Sequence, residues 1–388
     1  MGALKFFLIA GEPSGDRLGA ALMAGLKALN PTVQFAGIGG PLMQAEGLHS
    51  LFPMEELSIM GLVEVLPKYL PLKRRIREAA AAALAAQPDA LITIDSPDFC
   101  LRVAGLVKAA RPGLRTIHYV APSVWAWRPG RAIKMARVID HVLALLPFEP
   151  PLMTAAGMSC DFVGHPVVAE PLGPAAKAQP GPLILCLPGS RRGEVARLAP
   201  VIGRVLAQIK AVHPQARVVL PTVRGVANLV RDLVRDWPVT PQIIENADEK
   251  RAAFASADVA IAASGTVSLE LAAIACPMVI AYDLNRLSLW LMRRAALIDT
   301  VTLVNLVSQT RIVPEFIGAR CTADLIAPAV LDLIANPHAQ DAAMALTMQR
   351  LGQGGEAPGL RAARSVLAAL QRPRQIQPPP NTRLPSGS

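Results

Sequence analysis

Along most of this chain, short apolar segments alternate with longer stretches of helical periodicity. Lys5 to Ala10 reads as a strand, Asp16 to Leu29 as a helix, and Phe35 to Ile38, Ala90 to Ile94, Thr116 to Val120 and Val142 to Leu145 as further strands. Strands that are apolar throughout, each followed by a helix, belong to a parallel sheet covered on both faces. Between Phe162 and Pro182 the rhythm breaks at His165-Pro166, Pro171, Pro174 and Pro180-Gly181-Pro182. It restarts with Leu183 to Leu187, Arg217 to Leu220, Gln242 to Ile244, Val259 to Ala262 and Met278 to Tyr282. The expectation is an α/β fold of two Rossmann-like domains, and 388 residues suit two cores. The divisions read from the sequence are a first domain at 1–165, a proline-rich linker at 166–182, a second domain at 183–345, a terminal helix at 346–371 and a polar, proline-rich tail at 372–388 expected to be disordered.

Hydrophobic residues make up 52% of the chain, yet no uninterrupted apolar stretch approaches the ~18 residues of a spanning helix. Phe6 to Ala10 is too short for the apolar region of a signal peptide and reads as a buried strand. Cys100, Cys160, Cys186, Cys276 and Cys321 lie far apart with no C-x-x-C pair, the usage of buried reduced thiols in a cytosolic protein rather than of a zinc site. The net charge of +10 calls for an anionic partner. Aromatics at 4% and the lack of any nucleic-acid-binding signature argue against nucleic acid. Lys73, Arg74, Arg75 and Arg77 follow the apolar stretch Ile59 to Leu72, and Arg293-Arg294 follow Leu287 to Met292, a pattern that favours a membrane surface. Helices with one solvated charged face explain each run equally well.

Two turns stand out. Leu183 to Leu187 breaks into Pro188-Gly189-Ser190-Arg191-Arg192-Gly193-Glu194, and a helical pattern begins at Val195. There the backbone N–H groups, the positive helix end, the Ser190 hydroxyl and two guanidinium groups can converge on a phosphate or diphosphate. In the first domain, Gly11-Glu12-Pro13-Ser14-Gly15-Asp16 follows the first strand directly. Its spacing matches neither the dinucleotide glycine motif nor the nucleoside-triphosphate phosphate loop. Gly11 and Gly15 permit close approach to a ligand, while Glu12, Ser14 and Asp16 offer acceptors or helix caps. Ligands of open α/β sheets bind at the carboxyl edges of the strands, so the active site is expected in a central cleft faced by both domains.

Taken in order, AGEPSGDRLGA, GIGGPLM from Gly37, MEELSIMGLVEVLP from Met54, DSPDF from Asp95, HYVAPSVWAWRPGRA from His118, LPFEP, FVGHP, LPGSRRGEV and SGTVSLELA resemble the lipid-A-disaccharide synthases, bacterial inverting glycosyltransferases of the GT-B fold. The resemblance runs from about Gly11 to Pro314-Glu315-Phe316. It implies transfer from UDP-2,3-diacylglucosamine to the 6-hydroxyl of 2,3-diacylglucosamine 1-phosphate, giving a β(1→6) disaccharide and UDP. It also implies a cytoplasmic enzyme held peripherally at the inner membrane, with no cofactor; a homodimer stays open. A terminal helix that crosses back to the first domain would be in keeping with GT-B chains. Cys100 departs from the family motif, which usually carries Asn there.

Displacement at the anomeric carbon needs a base for the acceptor hydroxyl and a stabilised leaving diphosphate. By resemblance, Asp98 in DSPDF is the base, with Asp95 the competitor; either could instead cap the helix that follows. Gly189, Ser190 and Arg191 are assigned to the leaving diphosphate, with no metal, since no D-x-D motif is present. Ser264, Gly265 and Thr266 open a second helix on which Glu270 is placed to accept both ribose hydroxyls, as in related transferases; Asn305 is a weaker candidate, as is Glu315. On the acceptor side the expected residues are Gly11, Glu12, Ser14, Gly15, Asp16, Met60, His118, Trp127 and Arg128. Met54 to Leu72 reads as an acyl groove and membrane contact, for which a buried helix is the competing explanation.

Overall fold

A computed structural model describes residues 3–57, 62–169, 180–283 and 296–373, with the backbone alone for 62–70. Met60, Arg293-Arg294 and the proline-rich tail from 374 lie outside the described residues, as does most of the linker. The chain divides into two units, one formed by Met1–Pro166 with Glu356–Ser388 and the other by Val167–Gly355.

The first unit runs β1 (Lys5–Ala10), α1 (Pro13–Leu29), β2 (Gln34–Ile38), α2 (Pro41–Ala45), α3 (Leu62–Ala85), β3 (Ala90–Ile94), α4 (Pro97–Ala110), β4 (Arg115–Tyr119), α5 (Gly130–Ala136), β5 (His141–Ala144), α6 (Glu149–Ala155) and β6 (Ser159–Phe162). All six strands are parallel, in the order β2-β1-β3-β4-β5-β6. Alternation along β1 builds the two layers. Phe6, Leu8 and Ala10 join Leu22, Met23 and Leu26 of α1, whereas Phe7 and Ile9 join Ile76 and Ala83 of α3 and Val103 of α4. With both faces of β1 buried, an apolar side chain suits each of these positions, which is why the strand reads as a continuous apolar run.

The second unit contains β7 (Leu183–Leu187), α7 (Arg192–Val212), β8 (Arg217–Pro221), α8 (Ala227–Leu233), β9 (Gln242–Ile244), α9 (Ala247–Ser256), β10 (Val259–Ala262), α10 (Val267–Ala273), β11 (Met278–Tyr282), α11 (Leu303–Ser308), β12 (Glu315–Ile317), α12 (Ala323–Ala335) and α13 (Asp341–Arg350). Its parallel sheet has the order β12-β11-β10-β7-β8-β9. Ile184 and Cys186 of β7, Val218 and Leu220 of β8 and Val259 and Ile261 of β10 pack with Val195, Ile202 and Leu206 of α7 and Ile326 and Val330 of α12. The two-sheet α/β class expected from the sequence is the class observed.

The last helix, α14 (Pro358–Gln371), belongs to the first unit and lies against α1. Their backbones approach so closely that a Cβ on Gly25 would stand 2.6 Å from the Gly359 carbonyl oxygen, and one on Gly359 would stand 2.5 Å from that of Ala21. A polar set secures the far end of α14. Ser365 Oγ donates to Asp161 at 2.7 Å and lies 2.8 Å from His141 Nε2, and Arg372 pairs with Asp161 at 2.9 Å.

Candidate active site

In a doubly wound sheet, ligands bind where neighbouring strands send their connections to opposite sides. In the second unit that point lies between β7 and β10. A cavity of about 340 Å³ opens there, lined by Gly189, Ser190, Arg191 and Glu194 after β7, Thr222 after β8, Lys250 of α9, and Ser264, Gly265, Thr266 and Glu270 after β10. The sequence-predicted Gly189–Arg191 turn and Ser264–Glu270 segment therefore meet at one pocket.

Its local structure follows from residue type. Gly189 has φ +107°, and a Cβ there would stand 2.6 Å from a Glu194 carboxylate oxygen, so only glycine makes this turn. Arg191 is the residue before α7, and the first amides of that 21-residue helix lack carbonyl partners within it. The Arg191 guanidinium pairs with Glu194 at 3.1 Å while remaining 68% exposed. Gly265, at φ +152°, has open space where a side chain would stand. Ser264 Oγ donates to the Val301 carbonyl at 3.0 Å, and Glu270 pairs with Lys250 at 2.8 Å. The Thr222 hydroxyl oxygen is buried at the pocket wall without a hydrogen-bond partner among the described residues.

Asn305 is 1% exposed and lies elsewhere. Its amide donates to Val313 O at 2.9 Å and accepts from Val313 N–H at 3.0 Å, which holds the following loop to α11 and leaves no amide for a nucleotide. Glu315 is likewise taken up by the loop before α11, accepting from Val301 N–H at 3.0 Å and Thr302 N–H at 2.8 Å.

The corresponding switch point of the first unit lies between β1 and β3. Gly11 is buried against the β3 end, and a Cβ on it would stand 2.7 Å from Ser96 Oγ. Asp95 and Ser96 have φ of +52° and +43°, and Val120, after β4, has +83°. Such conformations cost about 1–3 kcal/mol each and concentrate at functional sites. Asp95 accepts from Ser96 N–H at 2.9 Å and from Ser14 Oγ at 3.4 Å. Asp98, in the first turn of α4, is exposed, and its carboxylate accepts no hydrogen bond among the described residues; neither aspartate caps the helix.

Three acceptor-side expectations are corrected. Helix α1 starts at Pro13, so Gly15 and Asp16 lie inside it and are buried. The Asp16 carboxylate accepts from the N–H groups of Gly40, Leu42 and Met43 at 2.8, 3.0 and 3.0 Å, capping α2 instead of facing a substrate. Gly15 packs on β3, where a Cβ would meet the Ile94 carbonyl at 3.3 Å. His118 in β4 is buried, 2% exposed, with Nδ1 2.8 Å from Oγ1 of its cross-strand partner Thr93, and burial pulls its pKa down to about 4. Glu12 and Ser14 stay at the open edge, as do Trp127 and Arg128, whose guanidinium stacks 4.2 Å over the Trp127 ring.

The model of the family described as lipid-A-disaccharide synthetase matches residues 6–367. A lipid-A-disaccharide synthase of Ruegeria pomeroyi is 62% identical over 384 residues, covering 95% of this chain and 96% of that one. The chain belongs to the lipid-A-disaccharide synthetase family. A lipid-A-disaccharide synthase of Rhodospirillum centenum is 44% identical, covering 99% of this chain and 100% of that one. The fold of this family member is similar to that of S. aureus MnaA solved with UDP, with a TM-score of 0.64 at 12% identity over 96% of this chain and 100% of the other.

Sequence reasoning missed three groups in this synthetase-family chain. Lys250 reaches the second-unit pocket from α9 and Thr222 from the end of β8, and no recognised phosphate-binding or catalytic motif marks either of them. Glu149, in LPFEP, is 4% exposed and accepts from Trp125 Nε1 at 3.1 Å and from Leu146 N–H at 2.9 Å; burial pushes its carboxyl up to about 7. It ties the loop carrying Trp127 and Arg128 to the end of β5. In the expected acyl groove, Met54 and Leu57 are core residues, 3% and 8% exposed. Arg75 pairs with Glu56 and Glu78 at 2.8 Å each and stacks on Phe52, which leaves Lys73, Arg74 and Arg77 as the exposed cations of that run. Among the described residues no helix is long and apolar enough to cross a membrane.

Proposed function

We propose that this family member transfers the diacylglucosaminyl group of UDP-2,3-diacylglucosamine to the 6-hydroxyl of 2,3-diacylglucosamine 1-phosphate, with inversion at the anomeric carbon. The observation that carries the reading is the convergence of the Gly189–Arg191 and Ser264–Glu270 turns on one pocket at the switch point of the second sheet. Arg191, with the N-terminus of α7, stabilises the diphosphate as the bond from anomeric carbon to phosphate oxygen breaks, and needs no metal ion to do so. Glu270 accepts the ribose hydroxyls. Asp98 takes the proton of the acceptor hydroxyl as its oxygen bonds to the anomeric carbon. Its carboxylate is free for this, whereas that of Asp95 is already held by Ser96 and Ser14. Glu12, Ser14, Trp127 and Arg128 stand with it on the acceptor side.

The enzyme works at the cytoplasmic face of the inner membrane, drawn by exposed cations including Lys73, Arg74 and Arg77. The deciding experiment measures UDP release with detergent-dispersed substrates. Release should require the diacylated donor and the diacylated acceptor together. Conversion of plain UDP-N-acetylglucosamine with no acylated acceptor would overturn the assignment.

A further inference from the structure

Lys250 stands at the pocket wall with its ammonium held from two sides. Nζ lies 2.8 Å from Glu270 Oε2 and 4.9 Å above the ring of Phe254, which is itself buried. Lys250 sits in the first turn of α9, whose start is fixed by the Asn246 side chain accepting from Asp248 N–H at 2.8 Å and Glu249 N–H at 3.2 Å. The other oxygen of Glu270, Oε1, has no partner among the described residues. A carboxylate with one oxygen held and one open is a fixed acceptor facing the cavity. Without the lysine, the Glu270 side chain is free to rotate on α10.

We propose that Lys250 is a positioning residue for the nucleotide. It locks the Glu270 carboxylate so that Oε1 and the remaining lone pair of Oε2 meet the two ribose hydroxyls, and it does not itself contact the diphosphate. The inference rests on reading this pocket as the nucleotide site and adds to it a group that selects for the ribose diol.

The test is calorimetric titration of the full chain with UDP and with 2′,3′-dideoxy-UDP, for wild type, Lys250→Met, Lys250→Arg, Glu270→Gln and the Met/Gln double variant. Lys250→Met should weaken UDP about tenfold and raise the donor KM in step, with kcat changed less than about twofold. Lys250→Arg should bind within about threefold of wild type, and the double variant should be no weaker than Glu270→Gln alone, because the two residues act as one unit. On 2′,3′-dideoxy-UDP, wild type and Lys250→Met should bind equally. An equal loss on both nucleotides would place Lys250 on the diphosphate or the base, and an unchanged UDP affinity would reduce the pair to a surface salt bridge; either overturns the inference. A wild-type protein that binds no UDP refutes the nucleotide pocket itself, a result distinct from these two.

Discussion

Acidification should destabilise the first unit through His118, by an amount its burial sets. The ring is 2% exposed in β4, and burial pulls its pKa to about 4 against 6.5 for an exposed imidazole. Below pH 6.5 the unfolded chain binds a proton that the folded chain refuses, so stability present at neutral pH is lost as pH falls from 6.5 toward 4. At pH 5 the unfolded imidazole is almost fully protonated and the folded one almost fully neutral, which costs about 2 kcal/mol relative to pH 7. His118→Gln removes the titration while keeping a polar group beside Thr93, so its loss of stability between pH 7 and 5 should be about 2 kcal/mol smaller than that of wild type. Hydrogen exchange at the amides of β3 and β4 reads the opening of this unit directly. Parallel pH dependence in the two proteins would refute the argument. A fall in kcat/KM for His118→Gln at unchanged stability would return the ring to the acceptor site. His141 and His165, also held near 4 chiefly by burial, steepen the same acid limb in both proteins.

Asp98→Asn should leave UDP affinity and melting temperature nearly unchanged and lower turnover by ~10² or more in the UDP-release assay; near-normal turnover would move the base elsewhere. Arg191→Ala should weaken UDP binding and slow transfer together, because the role proposed for the guanidinium is to meet diphosphate oxygens whose charge grows as the bond breaks. EDTA should change activity little, and a collapse reversed by Mg²⁺ would refute transfer without a metal. Gly359→Ala should cost the first unit about 1–3 kcal/mol in a denaturant titration, since its Cβ must displace the Ala21 carbonyl. An unaffected midpoint would show that α14 can shift on α1 without loss.

The central strands were legible because burial on both faces favours apolar side chains along their length, as in Phe6 to Ala10 and Leu183 to Leu187, with buried polar residues such as Thr93 and His118 paired to each other. The glycine turns were legible for a similar reason. Positions such as Gly189, with a left-handed φ and a carboxylate where a Cβ would stand, accept one residue type, and their order also carried the family resemblance. The edge strands β6 and β12 escaped notice: Ser159–Phe162 and Glu315–Ile317 are half-buried and partly polar, because an edge strand meets one neighbour and solvent. The fate of each polar side chain was beyond the sequence as well. Asp16, His118 and Asn305 carry the same chemistry as ligands do, and only the three-dimensional packing shows that backbone amides, Thr93 and Val313 already satisfy them. Lys250 is the converse case. Nothing local distinguishes it from other surface lysines, and it acquires meaning only because α9 and α10, separate in sequence, set its ammonium against Glu270. Residue type and spacing thus determined the backbone layers and the turns, since those depend on local sterics and burial; which charged groups stay free for chemistry depended on contacts between distant segments, and only the tertiary structure could decide it.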